Sequence, residues 1–232
     1  MTEQIKRFKE KEKYTVKDIR ELVEILRSEN GCQWDREQDH KSVRNAMIEE
    51  AYEFIEGLDN NDAELMKEEL GDVVFQVFFH ARIGEENGTF DIDEIADGIC
   101  KKMVLRHPHV FGDVTVKNSD EVLRNWEIIK KSEKSRDSLK KQLESVPNVL
   151  PALIRAEKLL SRYKKEGGHI EQDKDVLLQL LKDAVNNLES DVTSENIGEL
   201  LFRTANLAYV MKINSEQALY EKNERFIKEN SK

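Results

Sequence analysis

The chain has little glycine, proline or cysteine, and each shortage excludes something. Ten Gly and three Pro fill 13 of 232 positions, about half the usual share, while the tight turns of a many-stranded protein need more of both. An all-β sandwich or barrel is therefore not expected. The only cysteines, Cys32 and Cys100, lie 68 positions apart without a CxxC partner, so neither a zinc site nor a disulfide framework is predicted. No apolar run approaches the roughly 18 residues that span a bilayer. The opening stretch, MTEQIKRFKEKEKY, is charged and carries no apolar leader core, so a cytoplasmic chain without membrane attachment is the expectation. A basic excess is also missing. With 37 basic and 47 acidic residues the net charge is −10, which argues against nucleic acid as a partner, because a phosphate-facing surface carries the opposite sign.

What the chain does have is charge at 36% beside 38% hydrophobic residues, the balance of amphipathic helices with one wet face. Thr15 precedes Val16, Ile19, Leu22, Val23 and Leu26, which recur at three- and four-residue steps and predict a capped helix. A second helix is predicted over 43–58, a turn at Asp59-Asn60-Asn61, and a third helix capped by Asp62 and running to about Ile83. The third carries Leu65, Leu70, Val73, Val74, Val77, Phe78 and Ala81, a stripe broad enough to sit at the centre of a bundle. A fourth, over 91–105, is stopped by His107-Pro108-His109. Residues 130–141, KKSEKSRDSLKK, hold eight charges in twelve positions and read as a solvated linker or helix end. Helices near 152–164, 175–188, 197–211 and 215–228 follow, so the fold class is all-α.

The sharpest chemical feature is acidic. Glu49, Glu50 and Glu53 are followed by Glu69 and Asp72. On a helix Glu53 lies about 40° from Glu49 and about 60° from Glu50, and Glu69 and Asp72 are again about 60° apart. With a turn centred near Asn61, Glu53 comes level with Glu69, and Glu50 with Asp72, about 12 Å and 16 Å from the turn. In so acidic a chain such spacing also arises by chance. Its context is what counts: both pairs flank apolar positions, where unpaired carboxylates raise one another's pKa unless a cation joins them. No His stands three positions after any of these acids, unlike the Glu-x-x-His of di-iron bundles. All-oxygen ligation suits Mg²⁺, with Mn²⁺ the alternative. Mg²⁺ keeps waters and shares positions with substrate phosphates, and no GxxxxGK[ST] loop is present to hold a nucleotide by other means.

These residues resemble a known family. EExxE and ExxD, preceded by GCQWD (Gly31–Asp35) and followed by LRHPHVFGD (Leu105–Asp113), NW (Asn125-Trp126) and VPNVLPAL…AEKL (Val146–Leu159), are similar to a MazG-type nucleoside triphosphate pyrophosphohydrolase over nearly the whole chain. The resemblance implies an all-α helical bundle, a homodimer, and Mg²⁺-dependent hydrolysis of a nucleoside triphosphate to the monophosphate and pyrophosphate, in nucleotide-pool housekeeping. By the family's pattern Glu50, Glu53, Glu69 and Asp72 are the metal ligands. Glu49 is a further ligand, the group that orients the attacking water, or a surface residue. Lys101, Lys102 and Arg106 are candidates for holding the leaving pyrophosphate, with solvated helix-end residues as the alternative. Trp34 is a candidate for stacking on the base, or else packs on the core. Trp126 is expected to pack, and His40, His80 and His169 follow no pattern.

GDVVFQVFFHA from Gly71 has an echo in GELLFRTANLA from Gly198, with three identities in eleven positions. The resemblance implies two tandem modules, 1–135 with an intact acidic site and 136–232 degenerate. In the second the turn centres near Asp191, with Asp183 and Glu199 eight residues away, while Asn186 and Asn196 replace acids and Lys182 stands where the first Glu of the pair belongs. Weak metal binding by this half is the expectation. Two other readings stay open: an enzyme restricted to particular dNTPs (dUTP, dCTP or damaged nucleotides), and a non-catalytic helical regulatory protein.

Overall fold

Several helices start at a side chain that accepts from a free amide of the first turn, among them Asp62, Asp91, Ser138, Asp173, Thr193 and Asn214. The computed structural model describes residues 3–133 and 138–231, and helices are the only regular secondary structure among them. In order these are α1 (Glu3–Lys9), α2 (Val16–Leu26), α3 (Gln33–Glu37), α4 (Arg44–Asn60), α5 (Ala63–Glu86), α6 (Ile92–Arg106), α7 (Pro108–Phe111), α8 (Ser119–Ser132), α9 (Leu139–Glu144), α10 (Ala152–Lys165), α11 (Lys174–Ser190), α12 (Ser194–Val210) and α13 (Ser215–Asn230). The chain divides into two compact units, 1–129 and 130–232. The expected boundary at 135/136, inside the charged run, lies outside the described residues.

In the first unit α5 is the centre, as its broad stripe predicts. Phe79 and Ile83 join Val23 of α2 and Val43 in one buried cluster, with Ile19, Phe75 and Phe78 packed against it. Leu70 does not follow the prediction. It is 47% exposed, because the hairpin of α4 and α5 covers only one side of α5 near the turn. That turn is tight for identifiable reasons. Asn61 adopts the left-handed conformation (φ 54°) and its N–H returns to the carbonyls of Gly57 and Leu58, a role Asn tolerates. Asp62 then accepts from the amides of Glu64 and Leu65, at 3.1 Å each. Gly57 lets the two helices approach: a Cβ there would lie 2.9 Å from the backbone nitrogen of Met66.

After α6 the chain does stop at His107, but it restarts at once, since Pro108 occupies the first position of the single-turn α7, where its missing N–H costs nothing. In the second unit α11 and α12 form another hairpin and α10 packs against α12 and α13. Ser215, at the first turn of α13, donates through its amide (2.8 Å) and hydroxyl (2.6 Å) to Glu157 of α10. No helix of the described residues is long and apolar enough to cross a membrane.

Candidate metal centre on the α4–α5 hairpin

The hairpin brings three of the candidate carboxylates close together, and Glu53 is not in that close group. Carboxylate oxygens of Glu50, Glu69 and Asp72 all lie within 4.8 Å of one another. Glu69 is buried at 7% exposure, Glu50 is half-buried, and Glu53 and Asp72 are open to solvent. Burial, followed by the charges of Glu53, Asp72 and Glu50, pushes the Glu69 carboxyl up to about 6. Glu50 is raised as well, by burial first and then by Asp72 and Glu53. Glu53 therefore belongs electrostatically to the same group. Glu49 is exposed and stands outside the close cluster.

The donor set fits a hard divalent cation. Three carboxylates converge from two helices, one of them buried, and a cation would relieve the repulsion that raises Glu69 and Glu50. Oxygens separated by up to 4.8 Å would draw in on a bound ion, since bonds of about 2.1 Å in an octahedron set neighbouring ligand oxygens about 3 Å apart.

The other candidates occupy the same unit in different states. Trp34 lies on the short helix α3 and not in an irregular loop, with 63% of its surface exposed, so it does not pack on the core. The segment that carries it is held by Arg27, whose side chain is only 5% exposed. Arg27 bonds Glu86 at 2.7 Å through Nη2, donates through Nη1 to the carbonyls of Asp35 and Gln38 (3.1 Å for the latter), and lies over the Phe79 ring at 5.1 Å. Gly31 makes the preceding bend, where a Cβ would fall 2.2 Å from the Ile25 carbonyl oxygen. Lys101 pairs with Asp97 at 2.6 Å on its own helix, and Lys102 is exposed. Arg106 is not a solvated helix end: it is buried, with its guanidinium 5.3 Å from the Trp126 ring centre. Trp126 packs, as expected.

Two features escape the sequence pattern. His40 and His80 meet Nδ1 to Nδ1 at 2.9 Å with stacked rings, and Phe90 stacks on His40. Burial and then the neighbouring His40 lower the His80 pKa. Gln76 is buried at 9% exposure, and its carboxamide oxygen has no hydrogen-bond partner. The available signal for Gln76 is its position four residues after Asp72 and seven after Glu69, on the same helix face.

A sequence model of the MazG nucleotide pyrophosphohydrolase domain matches residues 38–111, the stretch from the end of α3 through the hairpin to α7. A nucleoside triphosphate pyrophosphohydrolase of Escherichia coli is 36% identical over 216 residues, which cover 88% of this chain and 81% of that protein. The chain belongs to the MazG family. A Thermotoga maritima relative, named nucleoside triphosphate pyrophosphohydrolase/pyrophosphatase MazG, is 36% identical over 212 residues, covering 89% of this chain and 80% of its own length. An uncharacterized Bacillus subtilis protein, YabN, is 43% identical over 218 residues. There this MazG chain is matched over 90% but spans only 44% of the Bacillus protein. The family match falls on the helices that carry the acidic cluster, and the longer similarities extend through both units.

Proposed function

We propose that this chain hydrolyses nucleoside triphosphates to the monophosphate and pyrophosphate, with Mg²⁺ held by Glu50, Glu53, Glu69 and Asp72. The observation that carries this reading is the convergence of Glu50, Glu69 and Asp72 within 4.8 Å on the α4–α5 hairpin, in the segment that matches the MazG domain. A bound Mg²⁺ supplies charge neutralisation for the triphosphate and a lowered pKa for the attacking water. The protein's part is positional. The two capped helices hold four carboxylates at fixed heights, and Glu69, buried and crowded by like charge, gains most from a cation. Glu49 stands beside the group, where it serves to orient water at the α-phosphorus. Lys101, Lys102 and Arg106 are assigned to the polyphosphate, with Arg106 held in place by Trp126, and Trp34 presents a face on which a base can stack.

We read the second unit as a degenerate module and the assembly as a homodimer, acting in nucleotide-pool housekeeping in the cytoplasm. The two exposed, unpaired cysteines suit a reducing compartment. A preference for particular dNTPs is a narrower form of the same reading and is resolved by the same assay. With Mg²⁺ and a panel of NTPs and dNTPs, phosphorus NMR is expected to show monophosphate plus pyrophosphate, and Glu53→Gln to cut turnover at least about 100-fold. Diphosphate plus phosphate as products would overturn attack at the α-phosphorus. Undiminished release by Glu53→Gln would overturn the ligand assignment.

A further inference from the structure

Gln76 sits inside the helix that carries two of the four carboxylates, one turn beyond Asp72. Buried carboxamides almost always find partners, yet its oxygen has none at 9% exposure. A residue needed only for packing at this place would be apolar like its neighbours Phe75, Val77 and Phe79, since a buried acceptor left unpaired lowers stability. The oxygen therefore awaits a donor absent from the protein.

The second unit shows what lies within reach of this position. Aligning the two echoed segments places Arg203 at the position of Gln76 and Glu199 at that of Asp72. Arg203 reaches back one turn and forms an ion pair with Glu199 at 2.6 Å. A side chain four residues after the carboxylate is thus long enough to serve the carboxylate's own surroundings. In the first unit that side chain is neutral and shorter, so it does not neutralise Asp72 as Arg203 does Glu199. Substrate phosphates offer only acceptors there. Mg²⁺, however, retains several waters, whose O–H groups are strong donors, and partners of this outer kind orient and strengthen metal sites.

We propose that Gln76 is a positioning residue for the cation, its carboxamide oxygen accepting a hydrogen bond from a water in the ion's shell. This rests on the reading of Glu50, Glu53, Glu69 and Asp72 as a cation site. Arg203 is the opposite solution at the equivalent place: a built-in cation where the first unit takes one from solution.

The test uses the full chain, Mg²⁺ alone, calorimetric titration, and melting in EDTA and in Mg²⁺. Gln76→Met keeps the shape and removes the acceptor. It is expected to melt at or above the wild-type temperature in EDTA, while its Mg²⁺ affinity drops about 10- to 100-fold. Gln76→Glu retains the acceptor and should keep the affinity within a few-fold, and Gln76→Arg, imitating the second unit, should abolish the Mg²⁺ response. A Gln76→Met chain that fails to fold, or melts lower in EDTA, makes the carboxamide part of the fold and overturns the proposal. Wild-type Mg²⁺ affinity in Gln76→Met, with the response still lost in Glu69→Gln, overturns the role of Gln76 alone. A wild-type chain without any Mg²⁺ response overturns the underlying cation site, and the proposal with it.

Discussion

Asp18 illustrates how much one half-buried carboxylate can do at the start of a helix. It accepts from the Lys11 ammonium, the Thr15 amide (2.8 Å) and the Thr15 hydroxyl (2.9 Å), the reciprocal arrangement that closes the start of α2. The bond from Lys11, followed by those from Thr15, lowers its pKa from 3.8 to about 2. The folded form therefore binds its proton later than the unfolded chain as pH falls, and the unfolded state holds more protons in between. The associated stability is complete above the unfolded value and disappears as pH falls from about 4 toward about 2. Asp18→Asn should lower the melting temperature at neutral pH and flatten the acid limb of melting temperature against pH. An unchanged acid limb would show that the bonds to Asp18 do not survive in solution. Glu86 is governed by the same rule at a different site: burial works to raise it, but Arg27 and Arg82 hold it below its ordinary value.

Helices α2, α4, α5 and α6 are legible in the sequence because period and cap agree. Helix α2 starts right after Thr15 as the sequence predicts and ends at Leu26, just before the polar stretch expected to stop it, and Asp62 caps α5 as its position before the stripe implies. Periodicity does not mark α3 or α8. The first is five residues without an apolar stripe, and the second is flanked by the charged run, so its start depends on Asn118, whose side chain accepts from Glu121 at 3.0 Å. The same division applies to the site. The carboxylates stand out by their spacing taken together with their apolar flanks and the neighbouring motifs, whereas Gln76 and the His40–His80 pair take their meaning from burial and contacts. Helix α4 carries one more legible element. Ile48, Tyr52, Ile55 and Leu58 recur along one side of it and are 45%, 50%, 39% and 48% exposed. An apolar side of this kind on a helix wants a cover, and a second copy of the hairpin supplies one of matching character in the proposed homodimer. Replacing Tyr52 and Ile55 together with Glu should convert a dimer in sedimentation to a monomer. A doubly substituted chain that still sediments as a dimer would move the interface elsewhere.

Across the whole molecule, the two hairpins treat the same positions in opposite ways. In the first unit the acidic side chains crowd one another. In the second, Asp183, Asn196 and Glu199 each have a protein partner. Asp183 accepts from Gln179 at 3.0 Å, Glu199 is ion-paired with Arg203 at 2.6 Å, and Asn196 donates to the Asp191 carbonyl at 2.7 Å, serving the turn. Glu199, already paired with a cation of its own helix, gains little from a second one, because binding would first have to displace Arg203. Among the described residues, the group that converges closely enough to hold a metal is that of the first unit. An ion bound to the folded form alone stabilises it by mass action, so Mg²⁺ should raise the melting temperature through the first unit only. Asp183→Asn with Glu199→Gln is expected to leave both the Mg²⁺-induced shift and pyrophosphate release as in the wild type, while Glu69→Gln removes both. Loss of the shift in the double variant would mean that the second hairpin still binds the ion, and that Arg203 is displaced when it does.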